Sequence, residues 1–470
     1  GPLSASAKPQ PAMFFQRVKT PGLGHNAYVV GCGEGLAVVV DPRRDVDEYL
    51  QLACSNNLSI AYVLLSHRQE DFEHGCGTLA RLTGAKIVTG AHELFGDSDV
   101  KLKDGEELKV GTSRFRCLHT PGHTPESVTY AAYMHDSGDK CWGVFTGDTL
   151  FVGDTGRTDL TDASKTAENA GILYDSVHNK IAPLGDQALL YPAHGAGSAC
   201  GGNISDRDES TLGIERQTNS AFVKSREDFI KHKVSEKMAR PPYFKRMEEV
   251  NLHAGRPVGR APGNVPLLQP KVFQARMELG VVLDTRQPDA FAGAHIPGSY
   301  NIWLQGVPAF AGWVASEGMS IFLVVDKSRD IEVAAESLAR IGLDKVEGVL
   351  AGGIDSWREQ GLPIRTLGTT SAAEAAERQK AGQAKILDVR DEYEWHNEHI
   401  PHALHQYVGD LEKHLPAVPK DTELVVHCSV GHRAGLAASI LVRNGYTRVV
   451  NMLGGMNAWK KLGLPLTASS

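Results

Sequence analysis

The chain has 470 residues, with 49 Lys and Arg against 56 Asp and Glu, a formal net charge of −7, 41% hydrophobic and 22% charged residues. That length exceeds one ordinary core and gives roughly three domains as a prior, while the composition is globular and excludes disorder as the default. No block of like charge would coat nucleic acid or an anionic membrane, and the longest apolar runs, such as Leu36–Val40, fall far short of the roughly 18 residues of a membrane span. Gly1-Pro2-Leu3-Ser4 reads as a tag-removal remnant and is set aside, and no signal-peptide pattern precedes Met13. Seven cysteines, an odd number without a CxxC, predict a reducing, cytoplasmic setting.

From residue 14 to about 199, short β-rich runs at 27–30, 36–40, 62–66, 86–88, 115–119, 142–146 and 188–191 alternate with turns and helical patterns. Four of them lead into polar clusters: Ser66-His67-Arg68-Gln69-Glu70-Asp71-Phe72, Thr120-Pro121-Gly122-His123, Gly147-Asp148-Thr149 and Pro192-Ala193-His194-Gly195. Strand ends are where α/β sheets place chemistry. Residues 203–255 carry charge at helical spacing, with 225–247 broken by Pro241-Pro242, and form a cap or a bridge. Residues 255–266, rich in Gly, Pro and Arg, read as a linker.

The second half repeats itself. Leu283-Asp284-Thr285-Arg286 matches Leu387-Asp388-Val389-Arg390, His295-Ile296-Pro297 matches His399-Ile400-Pro401, and Gly352-Gly353 with Trp357 matches Gly454-Gly455 with Trp459. An offset of roughly 100 residues is domain-sized, and each copy reads as a small α/β domain. In the second copy a buried-strand pattern, Leu424-Val425-Val426-His427, runs into Cys428-Ser429-Val430-Gly431-His432-Arg433 and a helix over 434–444. A cysteine at such a turn sits among backbone N–H groups and the positive end of the helix, which stabilise a thiolate or a persulfide anion. Gly431 permits the curl and Arg433 adds a fixed charge. A plain buried cysteine is the alternative. No cysteine lies between Cys200 and Cys428, so the first copy has no sulfur-carrying thiol and reads as a structural or docking module.

The Asp-x-Arg, His-Ile-Pro, Cys-x-x-Gly-x-Arg and Gly-Gly-x-x-x-Trp set resembles the rhodanese family of sulfurtransferases. The resemblance implies that Cys428 carries sulfur, with Arg433 assisting and Ser429, Val430, Gly431 and His432 forming the substrate loop. The four clusters of the first half resemble the metallo-β-lactamase superfamily, which implies an αββα sandwich with ligands on loops at one sheet edge. The usual first motif of that superfamily is His-x-His-x-Asp-His; here Gln69 and Phe72 stand at its second and fourth positions. Phe cannot ligate and Gln is a poor zinc ligand, so a dinuclear hydrolase of the glyoxalase II kind is disfavoured. His67, His123 and Asp148 survive, the set for a mononuclear non-heme Fe(II) site with open positions.

Within the superfamily that ligand choice resembles the persulfide dioxygenases, as do Gly147-Asp148-Thr149-Leu150-Phe151 and Gly156-Arg157-Thr158-Asp159. Residues 193–201 resemble fusions of that enzyme with rhodanese domains. The implied fold is α/β and multidomain: a metallo-β-lactamase-like domain at 13–255, a Cys-less rhodanese-like domain at 266–368 and an active rhodanese domain at 369–470. One Fe(II) per chain is expected on His67, His123 and Asp148, with Asp71 and His194 hydrogen-bonding to those ligands or their water. Arg157 is expected to clamp the carboxylates of a thiol carrier, with a structural salt bridge as the alternative. Implied substrates and products are a low-molecular-weight thiol persulfide, O2, sulfite and thiosulfate, in the service of sulfide detoxification. The rivals are a sulfurtransferase with a vestigial, metal-free first domain and a zinc thioester hydrolase. Neither the thiol carrier nor the oligomeric state is legible, and a homo-oligomer stays open.

Overall fold

The computed structural model describes residues 13–135, 137–258 and 264–469, so the tag-removal remnant and the centre of the predicted linker lie outside the described residues. The chain divides into two compact units, one of residues 1–235 and 246–257, the other of residues 236–245 and 258–470.

In the first unit, a six-stranded sheet runs Phe15–Thr20, His25–Gly33, Leu36–Val40, Ser59–Leu64, Lys86–Gly90, Val100–Leu102. A five-stranded sheet runs Leu189–Pro192, Gly143–Gly147, Val128–Tyr133, Ser113–His119, Glu107–Val110. The two sheets face each other across one core, where Val38, Val40 and Leu64 meet Phe115, Tyr130 and Phe145. Side chains alternate along a strand, so Val39 and Val63 point the other way, into a second core with Tyr49 and Leu79 from helices Asp47–Ser55 and Cys76–Thr83. Ala131, Val144 and Leu190 likewise leave the second sheet to meet Leu173 and Phe229 of helices Thr166–Ser176 and Arg226–Ser235. Covering both sheet faces makes strands such as Leu36–Val40 continuously apolar. The result is an αββα sandwich. The helix expected before Pro241-Pro242 ends at Ser235, and a further helix, Phe244–Val250, starts beyond the prolines.

The second unit holds two all-parallel five-stranded sheets of identical order. They run Leu267–Leu268, Val346–Leu350, Ser320–Val324, Gly280–Asp284, Tyr300–Asn301 and Gly368–Thr370, Val449–Met452, Leu424–His427, Lys385–Asp388, Leu404–His405. The repeated motifs are repeated contacts. Arg286 pairs with Asp284 and Arg390 with Asp388, each at 2.8 Å. His295 Nδ1 donates to the Phe291 carbonyl at 2.9 Å and His399 Nδ1 to that of Trp395 at 2.8 Å. The buried indoles of Trp357 and Trp459 donate to Pro363 and Pro465 at 2.8 and 2.9 Å. Trp459→Ala should therefore cost about 3–5 kcal/mol of stability, read as a fall in the denaturant midpoint of the second unit.

Candidate metal centre and sulfur-transfer loop

His67, His123, Asp148 and His194 follow the carboxyl ends of strands Ser59–Leu64, Ser113–His119, Gly143–Gly147 and Leu189–Pro192. Each is held by its other polar atom. Asp41 accepts from Ser66 N and Oγ at 2.8 and 2.7 Å, and Ser66 Oγ lies 2.9 Å from His67 Nδ1. His123 Nδ1 donates to the Arg157 carbonyl at 2.7 Å, turning Nε2 inward. Asp148 Oδ1 accepts from His194 Nδ1 at 2.6 Å, and His194 Nε2 reaches Asp71 Oδ2 at 2.8 Å. Gly147, at φ +55°, lets the strand turn immediately before Asp148; a Cβ there would stand 2.6 Å from Ser66 Oγ.

Three buried atoms are left facing one point. His67 Nε2 and His123 Nε2 each lie 3.3 Å from Asp148 Oδ2, and none of the three has a hydrogen-bond partner. Donors about 2.1 Å from a shared ion at 90–109° stand about 3.0–3.4 Å apart, so the three fit a metal ion. The field agrees. Burial disfavours a charged ring, yet Glu70 and Asp148 outweigh it and push His123 up to about 10. His194 is likewise held well above the usual imidazole range, burial being overcome by Asp148 and Asp71.

Sequence reasoning passed over Glu70 as a motif spacer. Its Oε1 stands 2.8 Å from His123 Nε2 and its Oε2 3.6 Å from His67 Nε2, and neither oxygen has a hydrogen-bond partner. His67, Glu70, His123 and Asp148 form one buried cluster whose ligand atoms all lie within 4.8 Å of one another. Of the two residues that break the superfamily motif, Phe72 lies against the His25 ring at 4.1 Å, and the Gln69 amide is buried without a partner. Asp71, His194 and Cys200 gather in a second buried group, where burial, then Asp71 and Glu70, push the Cys200 thiol well above its ordinary range. Arg157, expected to clamp substrate carboxylates, is instead buried with its guanidinium on Asp159 at 2.7 and 2.8 Å and on the Ala199 carbonyl at 3.2 Å. Asp159 supplies the fixed counter-charge that a buried guanidinium needs.

In the second unit, Cys428 follows strand Leu424–His427, and its Sγ accepts from Gly431 N at 3.1 Å and Ala434 N at 3.4 Å, at the start of helix His432–Arg443. Gly431, at φ +130°, makes the curl. The Gly-Gly turn braces the loop from behind: Gly454 N donates to Val430 O at 3.1 Å, Met456 N to Cys428 O at 2.8 Å and Asn457 N to Ser429 O at 3.0 Å. Val430 is exposed at the mouth. Arg433 is fixed by Glu394 at 2.6 and 3.1 Å and by Ser429 Oγ at 2.9 Å. Glu394 was not foreseen; burial opposes its charge, but Arg433 holds its carboxyl at about 2. A depressed carboxyl stabilises the fold above its unfolded value, so this pair should persist at neutral pH and be lost only as pH falls from about 4.5 through about 2. The Cys-less copy reaches this loop: Trp303 stacks on His432 at 5.0 Å, and His432 Nε2 donates to Gln287 Oε1 at 2.9 Å.

The comparisons decide the family. The rhodanese-like domain model matches residues 269–360 and 371–462. The human mitochondrial persulfide dioxygenase ETHE1 is 31% identical over 208 residues, 43% of this chain and 74% of that protein. The chain belongs to the persulfide dioxygenase family. It is a fusion of a metallo-β-lactamase-fold domain with two rhodanese domains. A crystal structure of a metallo-β-lactamase from Staphylococcus aureus subsp. aureus COL superposes with a TM-score of 0.64 at 29% identity, over 72% of this chain and 99% of the other. A hydroxyacylglutathione hydrolase of Polaromonas sp. (strain JS666 / ATCC BAA-500) is 30% identical over 189 residues, 39% of this chain and 66% of its own. The chain carries a buried His, Glu and Asp cluster that could hold a metal ion in its first unit and a cysteine loop in its second. No helix among the described residues is long and apolar enough to cross a membrane.

Proposed function

We propose that the chain is an iron-dependent persulfide dioxygenase joined to an active rhodanese domain, with 13–255, 266–368 and 369–470 as its three domains. One observation carries the reading: the unpaired Nε2 atoms of His67 and His123 converge with Asp148 Oδ2 in a buried cluster of a persulfide dioxygenase relative. These residues would hold about one Fe(II) per chain, and bound there iron supplies the one-electron oxygen chemistry that side chains lack. The net reaction takes a persulfide RSSH, O2 and water to the thiol RSH, sulfite and two protons; the outer sulfur is oxidised, O2 is reduced and the S–S bond breaks.

The chain's own contribution is orientation and exclusion of water. Ser66 with Asp41, and the Arg157 carbonyl, set the two imidazoles; His194, anchored on Asp71, turns Asp148. In the second unit the Cys428 sulfur, cradled by Gly431 N and Ala434 N, carries sulfane sulfur as a persulfide anion and passes it to sulfite. The S–S bond to Cys428 breaks, that of thiosulfate forms, and the thiolate returns. Arg433 would face the anionic substrate from its Glu394 and Ser429 bracket. Arg433→Ala should lower kcat/KM for thiosulfate about 10- to 100-fold, the worth of one charged hydrogen bond, with oxygen uptake unchanged. Seven free cysteines support a reducing, cytoplasmic setting.

A second reading, zinc thioester hydrolysis, is favoured by the hydroxyacylglutathione hydrolase relative and opposed by Gln69 and Phe72. Oxygen uptake by the iron-loaded protein with glutathione persulfide, coenzyme A persulfide and a small aliphatic persulfide tests both. Uptake with at least one is expected and names the carrier; thioester hydrolysis with no uptake by any would replace the proposal with the hydrolase.

A further inference from the structure

We propose that Glu70 is a fourth protein ligand of the metal centre, so that this chain holds its ion with two histidines and two carboxylates. The inference rests on the metal-site reading above and goes beyond the three residues named there. Both oxygens of Glu70 are buried and lack hydrogen-bond partners, and they lie 2.8 and 3.6 Å from the Nε2 atoms of His123 and His67. Those nitrogens are themselves without hydrogen-bond partners. A buried carboxylate left without donors is costly unless a cation satisfies it. The atoms it faces are donors to that same cation.

The local chain explains why residue 70 turns inward. Asn251 is buried, and its Nδ2 donates to the carbonyls of Gln69 at 2.7 Å and Phe72 at 2.6 Å while its Oδ1 accepts from His74 N at 3.0 Å. Both sides of the segment are thereby fixed, and Phe72 is drawn against His25. A second carboxylate cancels the charge of a divalent ion and fills one more position with a protein atom. The centre should therefore bind its ion more tightly, and exchange fewer external ligands, than a three-ligand site.

Cobalt(II) is the probe, since its visible absorption reports the number and kind of ligands. Full-length wild type, Glu70→Gln, Glu70→Asp and His123→Ala are titrated anaerobically with Co(II) against a competing chelator, and their spectra are compared. Wild type should bind about one Co(II). Glu70→Gln should lose more than about 100-fold in affinity, beyond the 10- to 100-fold expected for a neighbour outside the coordination sphere, and its spectrum should shift. Glu70→Asp, which keeps the charge on a shorter arm, should fall between the two. Unchanged affinity in Glu70→Gln, or weakened affinity with an unchanged spectrum, would overturn the fourth ligand while loss of binding in His123→Ala left the metal-site reading intact. If Glu70→Gln does not fold, Glu70→Asp decides by the same two criteria. Wild type that takes up neither Co(II) nor Fe(II) would remove both the reading and the inference.

Discussion

His123→Ala is expected to abolish metal uptake and persulfide-dependent oxygen consumption, with a loss greater than about 100-fold, and to leave sulfur transfer from thiosulfate at the wild-type rate. The ring does two things at once. Its Nδ1 is tied to the Arg157 carbonyl, and its Nε2 faces Asp148 and Glu70. Alanine removes a donor that neither carboxylate can replace and leaves the buried Glu70 without its nearest imidazole. The sulfur-transfer loop belongs to the other unit. Metal content, oxygen electrode traces and a thiosulfate assay on the same preparation check the three parts. Loss of both activities together would mean that the substitution unfolds the chain, which circular dichroism would show.

Cys428→Ser should eliminate sulfur transfer while oxygen uptake with a supplied persulfide continues, so that sulfite accumulates where wild type makes thiosulfate. The serine hydroxyl could still accept from Gly431 N and Ala434 N, so the loop should survive; what is lost is the nucleophile and sulfur carrier. Cys200 is no ready substitute, being fully buried beside Asp71 and His194 with its thiol pushed up. Mixing full-length His123→Ala and Cys428→Ser proteins separates two routes. Thiosulfate from the mixture at the wild-type yield would show that sulfite passes through solution; sulfite alone from wild type would end the idea of coupling.

The αββα order came from the resemblance of the four clusters, and the strands that carry them were legible from their apolar runs. Leu36–Val40 is apolar throughout since helices cover one face and the facing sheet the other. Phe15–Thr20 and Val128–Tyr133 were missed: the first alternates with charged residues at the sheet edge, and the second carries two small alanines among its apolar residues. The repeat was legible because the same ion pair and the same buried indole occur in both copies. Side-chain direction set by distant residues was not. Glu70 is an ordinary spacer until Asn251, 182 residues beyond Gln69, fixes the backbone around it. Glu394 reads as a helix-capping residue of Glu392–Asn397, which it also is, and nothing local joins it to Arg433. The Cys-less copy reads in the sequence as a structural or docking module because it lacks a thiol; its contact with the active loop was not legible, because it runs through Trp303 and Gln287, neither of which belongs to a motif.

The most direct measurement is the stoichiometry of the iron-loaded Cys428→Ser protein supplied with a limiting persulfide, following O2 and sulfite together. The account predicts one O2 consumed and one sulfite formed for each persulfide, with the free thiol released in equal amount. A protein that instead retains two tightly held zinc ions, consumes no oxygen and cleaves thioesters would contradict it.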